Sequence, residues 1–145
     1  MHIVLDLHGL PGGQNAFDNQ GKLGKSKVEI WKSTADTHED SGDLNWWYNA
    51  TNFNRTIQLV DLATDYILSQ QRSDQFTLSL INEPMPSALY FGQTNESKVY
   101  LNSYYDAVLP RIRAKSMDMW VMLSDGFSGP QTWYVFHSGT AKCDY

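Results

Sequence analysis

The sequence predicts an α/β domain built on parallel strands, and three observations predict it. Short runs alternate side chains between two faces in two places and a third strand run spans Met119 to Asp125, while two longer runs carry apolar stripes at helical spacing. They follow one another as strand, helix, strand, helix, strand, an order that implies parallel strands joined by right-handed crossovers. Each strand also closes on a polar side chain, respectively His8, Glu83 and Asp125. That gathers them at the carboxyl end of the sheet, where α/β folds carry their chemistry.

In the opening strand, Ile3, Leu5 and Leu7 share one face, and His2, Val4, Asp6 and His8 share the other. Met1 leads straight into this strand with no signal peptide, so the chain is expected to be a fragment or the product of a mis-started gene model. Gly9 to Gly24 is a glycine-punctuated loop whose density of Gly, Asn and Asp predicts turns. Gln14, Asn15, Phe17, Asp18 and Asn19 are expected to hang over the strand ends, where fixed amides suit a polyhydroxylated ligand. Residues 25–50 have no periodicity and carry Trp31, Trp46, Trp47 and Tyr48. Such rings either stack on sugar faces or pack the loop down, and packing is the expectation for most of them.

Asn52 to Ser69 reads as a helix capped by Asn52, with Phe53, Ile57, Val60, Ala63 and Ile67 as its core stripe. Leu59, Leu62 and Tyr66 widen that stripe. The second strand, Phe76 to Pro84, sets Phe76, Leu78 and Leu80 against Thr77, Ser79, Ile81 and Glu83. Pro84 ends it and is expected to hold Glu83 extended. The next helix runs from about Glu96 to Lys115 behind an Asn95 cap, on a stripe of Leu101, Tyr105, Val108 and Ile112. Pro110 is expected to kink or shorten it. Met119 to Asp125 is the third strand, and Pro130 to Phe136 carries a further helical signal. With no repeat, low-complexity tract or linker, residues 1–145 read as one domain.

Composition removes several function classes. The 11 basic and 16 acidic residues give a net charge of −5, which disfavours nucleic acid and anionic membranes as partners. No apolar run is long enough to span a bilayer. A single cysteine, Cys143, excludes an internal disulfide and a cysteine-based zinc site.

The segment Asp6-Leu-His-Gly-Leu-Pro-Gly-Gly-Gln-Asn-Ala-Phe-Asp-Asn19, followed by Leu80-Ile-Asn-Glu-Pro84 at the next strand's end, resembles the fungal exo-β-1,3-glucanases of glycoside hydrolase family 5. The likeness extends through Met122-Leu-Ser-Asp-Gly-Phe127 and Trp133 and fades after Phe136. It implies a partial (β/α)8 TIM barrel, with this chain holding the third to fifth strands as about three consecutive βα units. Glu83 matches the family's general acid/base. Asn82 matches the asparagine that holds the sugar's 2-hydroxyl. His8, Asp18 and Asn19 match residues lining the terminal-glucose subsite, and Phe17 an aromatic at its mouth. The implied substrate is a β-glucan or oligosaccharide, the implied setting secreted or cell wall, and no cofactor is implied.

Departures from the family pattern are Ala16 in place of glycine and Leu123 two residues before Asp125. The family's outer strands have no counterpart, and with them go an arginine, a His-x-Tyr segment and the nucleophilic glutamate. Of Glu29, Glu39, Glu83 and Glu96, only Glu83 ends a strand. The residues alone left Asp125 open as a second carboxylate; the resemblance makes it structural.

Other readings are weaker on residue grounds. His8-Gly-Leu-Pro-Gly-Gly13 with Gly126-Phe-Ser128-Gly-Pro130 approaches an esterase, but Pro130 breaks the nucleophile-elbow pattern. A metal site at Asp6, His8 and Glu83 lacks a second histidine at ligand spacing. An inactive, truncated or degenerate glycan-binding relic is the non-enzymatic alternative. Sequons at Asn49, Asn54 and Asn95 favour secretion.

Overall fold

Three parallel strands, β1 (Ile3–Asp6), β2 (Phe76–Ser79) and β3 (Trp120–Met122), form one sheet in that order in a computed structural model. Helix α1 (Ala50–Leu68) connects β1 to β2, and helix α2 (Asn95–Lys115) connects β2 to β3. The structure describes residues 1–15, 46–85 and 94–128. The strand–helix alternation read from the sequence is therefore the observed order.

The register aligns side chains in rows. Leu5, Leu78 and Val121 are paired across the sheet and belong to, or pack against, the hydrophobic core. Asp6, Ser79 and Met122 are paired in the next row and point to the opposite face, because side chains alternate. Leu7 and Leu80 continue the core row past the strand ends. Val60 and Ile67 of α1 meet Leu101, Tyr104, Tyr105, Val108 and Ile112 of α2 over that face. Burying such side chains contributes roughly 1.5–3 kcal/mol each.

Helix α1 starts earlier than the sequence suggested. Asn49 is extended and its side chain accepts a hydrogen bond from Asn52 N at 3.0 Å, so Asn49 and not Asn52 is the cap. Two buried positions, Thr56 and Thr64, were invisible to a hydrophobic stripe. Each returns its hydroxyl to the carbonyl four residues back, at 2.9 and 2.8 Å, which removes the cost of burying it. Thr56 Oγ1 also accepts from Trp46 Nε1 at 3.0 Å. Leu62 and Tyr66, expected in the stripe, are exposed at 67% and 56%.

Helix α2 is capped by Thr94, whose hydroxyl accepts from Ser97 N, and Asn95 is its first residue. It runs through Pro110 to Lys115 without ending. Pro110 and Asp106 are both exposed, so the donor lost at the proline is lost on the solvent side of the helix. Outside the core, Lys115 Nζ reaches Asp65 Oδ1 at 2.7 Å, and Arg111 Nε reaches Asp61 at 3.1 Å. The Arg111 guanidinium holds the Asp61 carboxyl below the usual carboxylate range.

Trp46 and Trp47 pack down, as expected for most of the aromatic segment. Trp46 meets Tyr100 and Tyr104 edge-on at 5.2 and 5.4 Å, a favoured ring geometry. Tyr48 is exposed, and Trp31 lies outside the described residues. Among the described residues, no helix is long and apolar enough to cross a membrane.

Candidate active site

The polar strand ends open onto a cleft of about 610 Å³ on the face away from the helices. Val4, Ser79 and Met122 line its floor. Three carboxylates, Asp6, Glu83 and Asp125, line it together with Asn82, Ser124 and Phe127. The volume is that of an ordinary small-ligand site.

Glu83 reaches this position through an abrupt turn. β2 ends at Ser79, four residues short of Glu83; Leu80 N still donates to Met122 O of β3 at 3.2 Å, and the backbone beyond takes partners outside the sheet. Leu80 O accepts from Tyr104 Oη at 2.8 Å, and Asn82 O accepts from Gln14 Nε2 at 2.9 Å. Met85 N then donates to Gln14 O at 2.9 Å. Between these anchors Glu83 has φ 42°, a left-handed conformation rather than the extended one expected before proline. A non-glycine residue there costs on the order of 1–3 kcal/mol and persists only where its surroundings fix it.

His8 stands beside the cleft and joins two of its lining residues. Its Nδ1 lies 2.6 Å from Asp6 Oδ2, and its Nε2 lies 3.4 Å from Asn82 Nδ2. A carboxylate can only accept, so Nδ1 carries the proton, which leaves Nε2 to accept from the Asn82 amide in the neutral ring.

Asp125 ends the third strand segment in a turn. Its Oδ1 accepts from Phe127 N at 2.9 Å, and its carbonyl accepts from Ser128 N at 3.1 Å. Tyr105 Oη fixes the preceding residue by donating to Ser124 O at 2.8 Å and accepting from Ser124 N at 3.1 Å. Burial pushes the Tyr105 phenol well up, so it stays a neutral donor. Ser128 is the last described residue of this turn.

Of the residues singled out in the sequence, the structure thus brings Glu83, Asn82 and His8 together. Phe17, Asp18 and Asn19 lie outside the described residues. Gln14 and Asn15, expected as loop amides over the ligand, are instead fully buried. Ser124 and Phe127 line the cleft without having been assigned to it; their proximity to Asp125 in sequence was the available signal. Among the described residues there is no group of three or more His, Cys, Asp or Glu side chains that could hold a metal ion.

The likeness to known proteins covers nearly the whole chain. It is 28% identical over 142 residues to a probable glucan 1,3-beta-glucosidase A of Emericella nidulans, covering 96% of this chain and 28% of that protein. A probable glucan 1,3-beta-glucosidase of Arthroderma benhamiae is 29% identical over 140 residues, covering 96% of this chain and 27% of the relative. The chain is similar to fungal glucan 1,3-beta-glucosidases. That agrees with the resemblance carried by residues 6–19 and 80–84. The chain spans little more than a quarter of the length of these curated relatives. Among solved structures, the rutinosidase from Aspergillus niger superposes with a TM-score of 0.75 at 27% identity, over 94% of this chain and 35% of that one. A structure named AoRut gives a TM-score of 0.74 at 25% identity, over 94% and 34%. No family model matches the chain.

Proposed function

We propose that this chain is the central part of a retaining glycosidase acting on terminal β-1,3-glucosidic bonds of β-glucans. The observation that carries the reading is Asn82-Glu83 beyond the carboxyl end of β2, lining a cleft, in a chain similar to glucan glucosidases along 96% of its length. Under this reading residues 1–145 form one piece of a (β/α)8 barrel and supply its third to fifth strands. A single parallel sheet with its helix layer on one face and its polar strand ends on the other supports it.

Glu83 acts as general acid, giving its proton to the leaving glycosidic oxygen, and then as general base for water. Asn82 holds the 2-hydroxyl of the sugar and is itself oriented by His8. His8, Asp18 and Asn19 line the terminal-glucose subsite, with Phe17 at its mouth. The nucleophile, which retaining chemistry places about 5–5.5 Å from the acid, comes from outside these residues. Asp125 serves the turn at its strand end. The enzyme is secreted or held in the cell wall; Asn54 and Asn95, two of its three sequons, are exposed.

The likeness to rutinosidase, at an identity close to that of the glucosidases, supports a second reading in which the substrate is a rutinoside. Turnover by a full-length enzyme containing this segment decides between them. Preference for laminari-oligosaccharides supports the glucanase, preference for a rutinoside supports the alternative, and activity on neither leaves the inactive glycan-binding relic.

A further inference from the structure

Gln14 is fully buried, so it touches no substrate, yet every polar atom of its side chain is committed. Its Nε2 donates to His8 O at 2.8 Å and to Asn82 O at 2.9 Å. Its Oε1 accepts from Leu10 N at 3.0 Å. Two carbonyls and one N–H converging on one planar group require an amide, with two donors on one end and an acceptor on the other. The backbone of Gln14 continues the same job. Its carbonyl accepts from Met85 N at 2.9 Å and from Trp47 Nε1 at 2.8 Å.

The two attachments fall on either side of Glu83: the side chain binds Asn82 O, and the main chain binds Met85 N. Gly12 and Gly13, at φ 89° and 80°, make the turn that brings Gln14 back under the strand ends, and Gly13 N bonds Leu10 O at 2.9 Å. We propose that Gln14 is a positioning residue that clasps the backbone on both sides of Glu83 and sets the approach of His8 to Asn82. The clasp supplies the surroundings that the left-handed φ of Glu83 requires. Its kinetic consequence rests on the glycosidase reading; its structural consequence does not.

The test uses a full-length enzyme containing this segment, with Gln14→Met and Gln14→Glu variants. Methionine keeps the volume and removes the side-chain hydrogen bonds. With laminari-oligosaccharides, kcat is expected to fall by about tenfold or more, since small misplacements of reacting groups are costly. KM should stay within about threefold, because no ligand contact is lost. Glutamate keeps an acceptor for Leu10 N but faces two carbonyls without a donor when ionised. Protonated, it regains one O–H donor, so its kcat relative to wild type at the same pH should recover as pH falls. Methionine should show no such recovery. In parallel, hydrogen–deuterium exchange should quicken at residues 80–85 and at Leu10 in the methionine variant, with α2 unchanged. Wild-type kcat in the methionine variant, unchanged exchange at 80–85, or no acid recovery of the glutamate variant would each overturn the clasp. If the wild-type enzyme hydrolyses no glucan, the glucanase reading fails alone and the exchange result decides the clasp. If the methionine variant does not fold, the pH response of the glutamate variant decides it.

Discussion

His8 Nε2 and Asn82 Nδ2 meet at 3.4 Å across the ends of neighbouring parallel strands, although 74 positions separate them in the chain. The contact follows from register. Asp6 is paired with Ser79, so the residues two and three places further on reach the same height above the sheet. His8 is held from the other side by Asp6 at 2.6 Å, giving an Asp6–His8–Asn82 line that ends beside Glu83.

Breaking that line should cost turnover rather than folding. In a full-length enzyme containing this segment, His8→Ala and Asn82→Ala should each lower kcat/KM for laminari-oligosaccharides by about tenfold or more, because polar contacts to the sugar tighten as charge develops. His8 is exposed, so its loss leaves no cavity, and far-UV circular dichroism should be unchanged. Wild-type kinetics in either variant would mean that the pocket has been misplaced.

Tyr105 offers a test of how the third strand end is held. Its hydroxyl both donates to Ser124 O and accepts from Ser124 N, inside the core. Tyr105→Phe strips both partners of that hydroxyl and should destabilise by about 1–3 kcal/mol. The readout is the midpoint of urea unfolding in the full-length enzyme. A midpoint equal to wild type would show that water replaces the phenol freely at this strand end.

Much of this arrangement was legible in the sequence, and the parts that were not share a cause. Alternation in 3–7 and 76–80 and the stripe through Leu101, Tyr105, Val108 and Ile112 gave the strands and α2, because burial of one face leaves a periodic trace. The Asn49 cap, the buried Thr56 and the left-handed Glu83 left none. Each depends on a hydrogen bond to a specific atom: Asn52 N for the cap, the Asn52 carbonyl and Trp46 for Thr56, and the Gln14 bracket for Glu83. Gln14, expected over the ligand, is buried instead for the same reason. A polar residue in a glycine-rich loop looks solvent-facing until the carbonyls it satisfies are known.

The sheet face opposite the helices carries a prediction about the segment by itself. Val4, Trp120 and Met122 there are exposed at 52%, 64% and 46%, and β1 and β3 are the outer strands among the described residues. Parallel sheets are normally covered on both faces, and open edges template further pairing. A polypeptide of residues 1–145 alone should therefore aggregate, or melt without cooperativity, and should not hydrolyse laminarin above background. A monomeric, cooperative thermal transition in this polypeptide would refute it.

The role of Glu83 can be separated from mere proximity by the leaving group. Protonation is needed where the departing oxygen is a poor leaving group, as in laminarin, and not where it is a dinitrophenolate. In a full-length enzyme, Glu83→Gln keeps the shape of the side chain but has no proton to give. Turnover of laminarin should nearly vanish, while formation of the glycosyl-enzyme from a dinitrophenyl β-glucoside should proceed at close to the wild-type rate. Hydrolysis of that intermediate should then be slow, because the same residue must activate water, so a burst should precede a slow steady state. Equal losses on both substrates would mean that Glu83 is not the acid. The cleft holds two other carboxylates to consider in that event. Asp6 is engaged with His8 through Oδ2, and Asp125 bonds Phe127 N through Oδ1. Loss of the burst when Asp125→Asn is added to Glu83→Gln would show that Asp125, and not a residue from outside this segment, is the nucleophile.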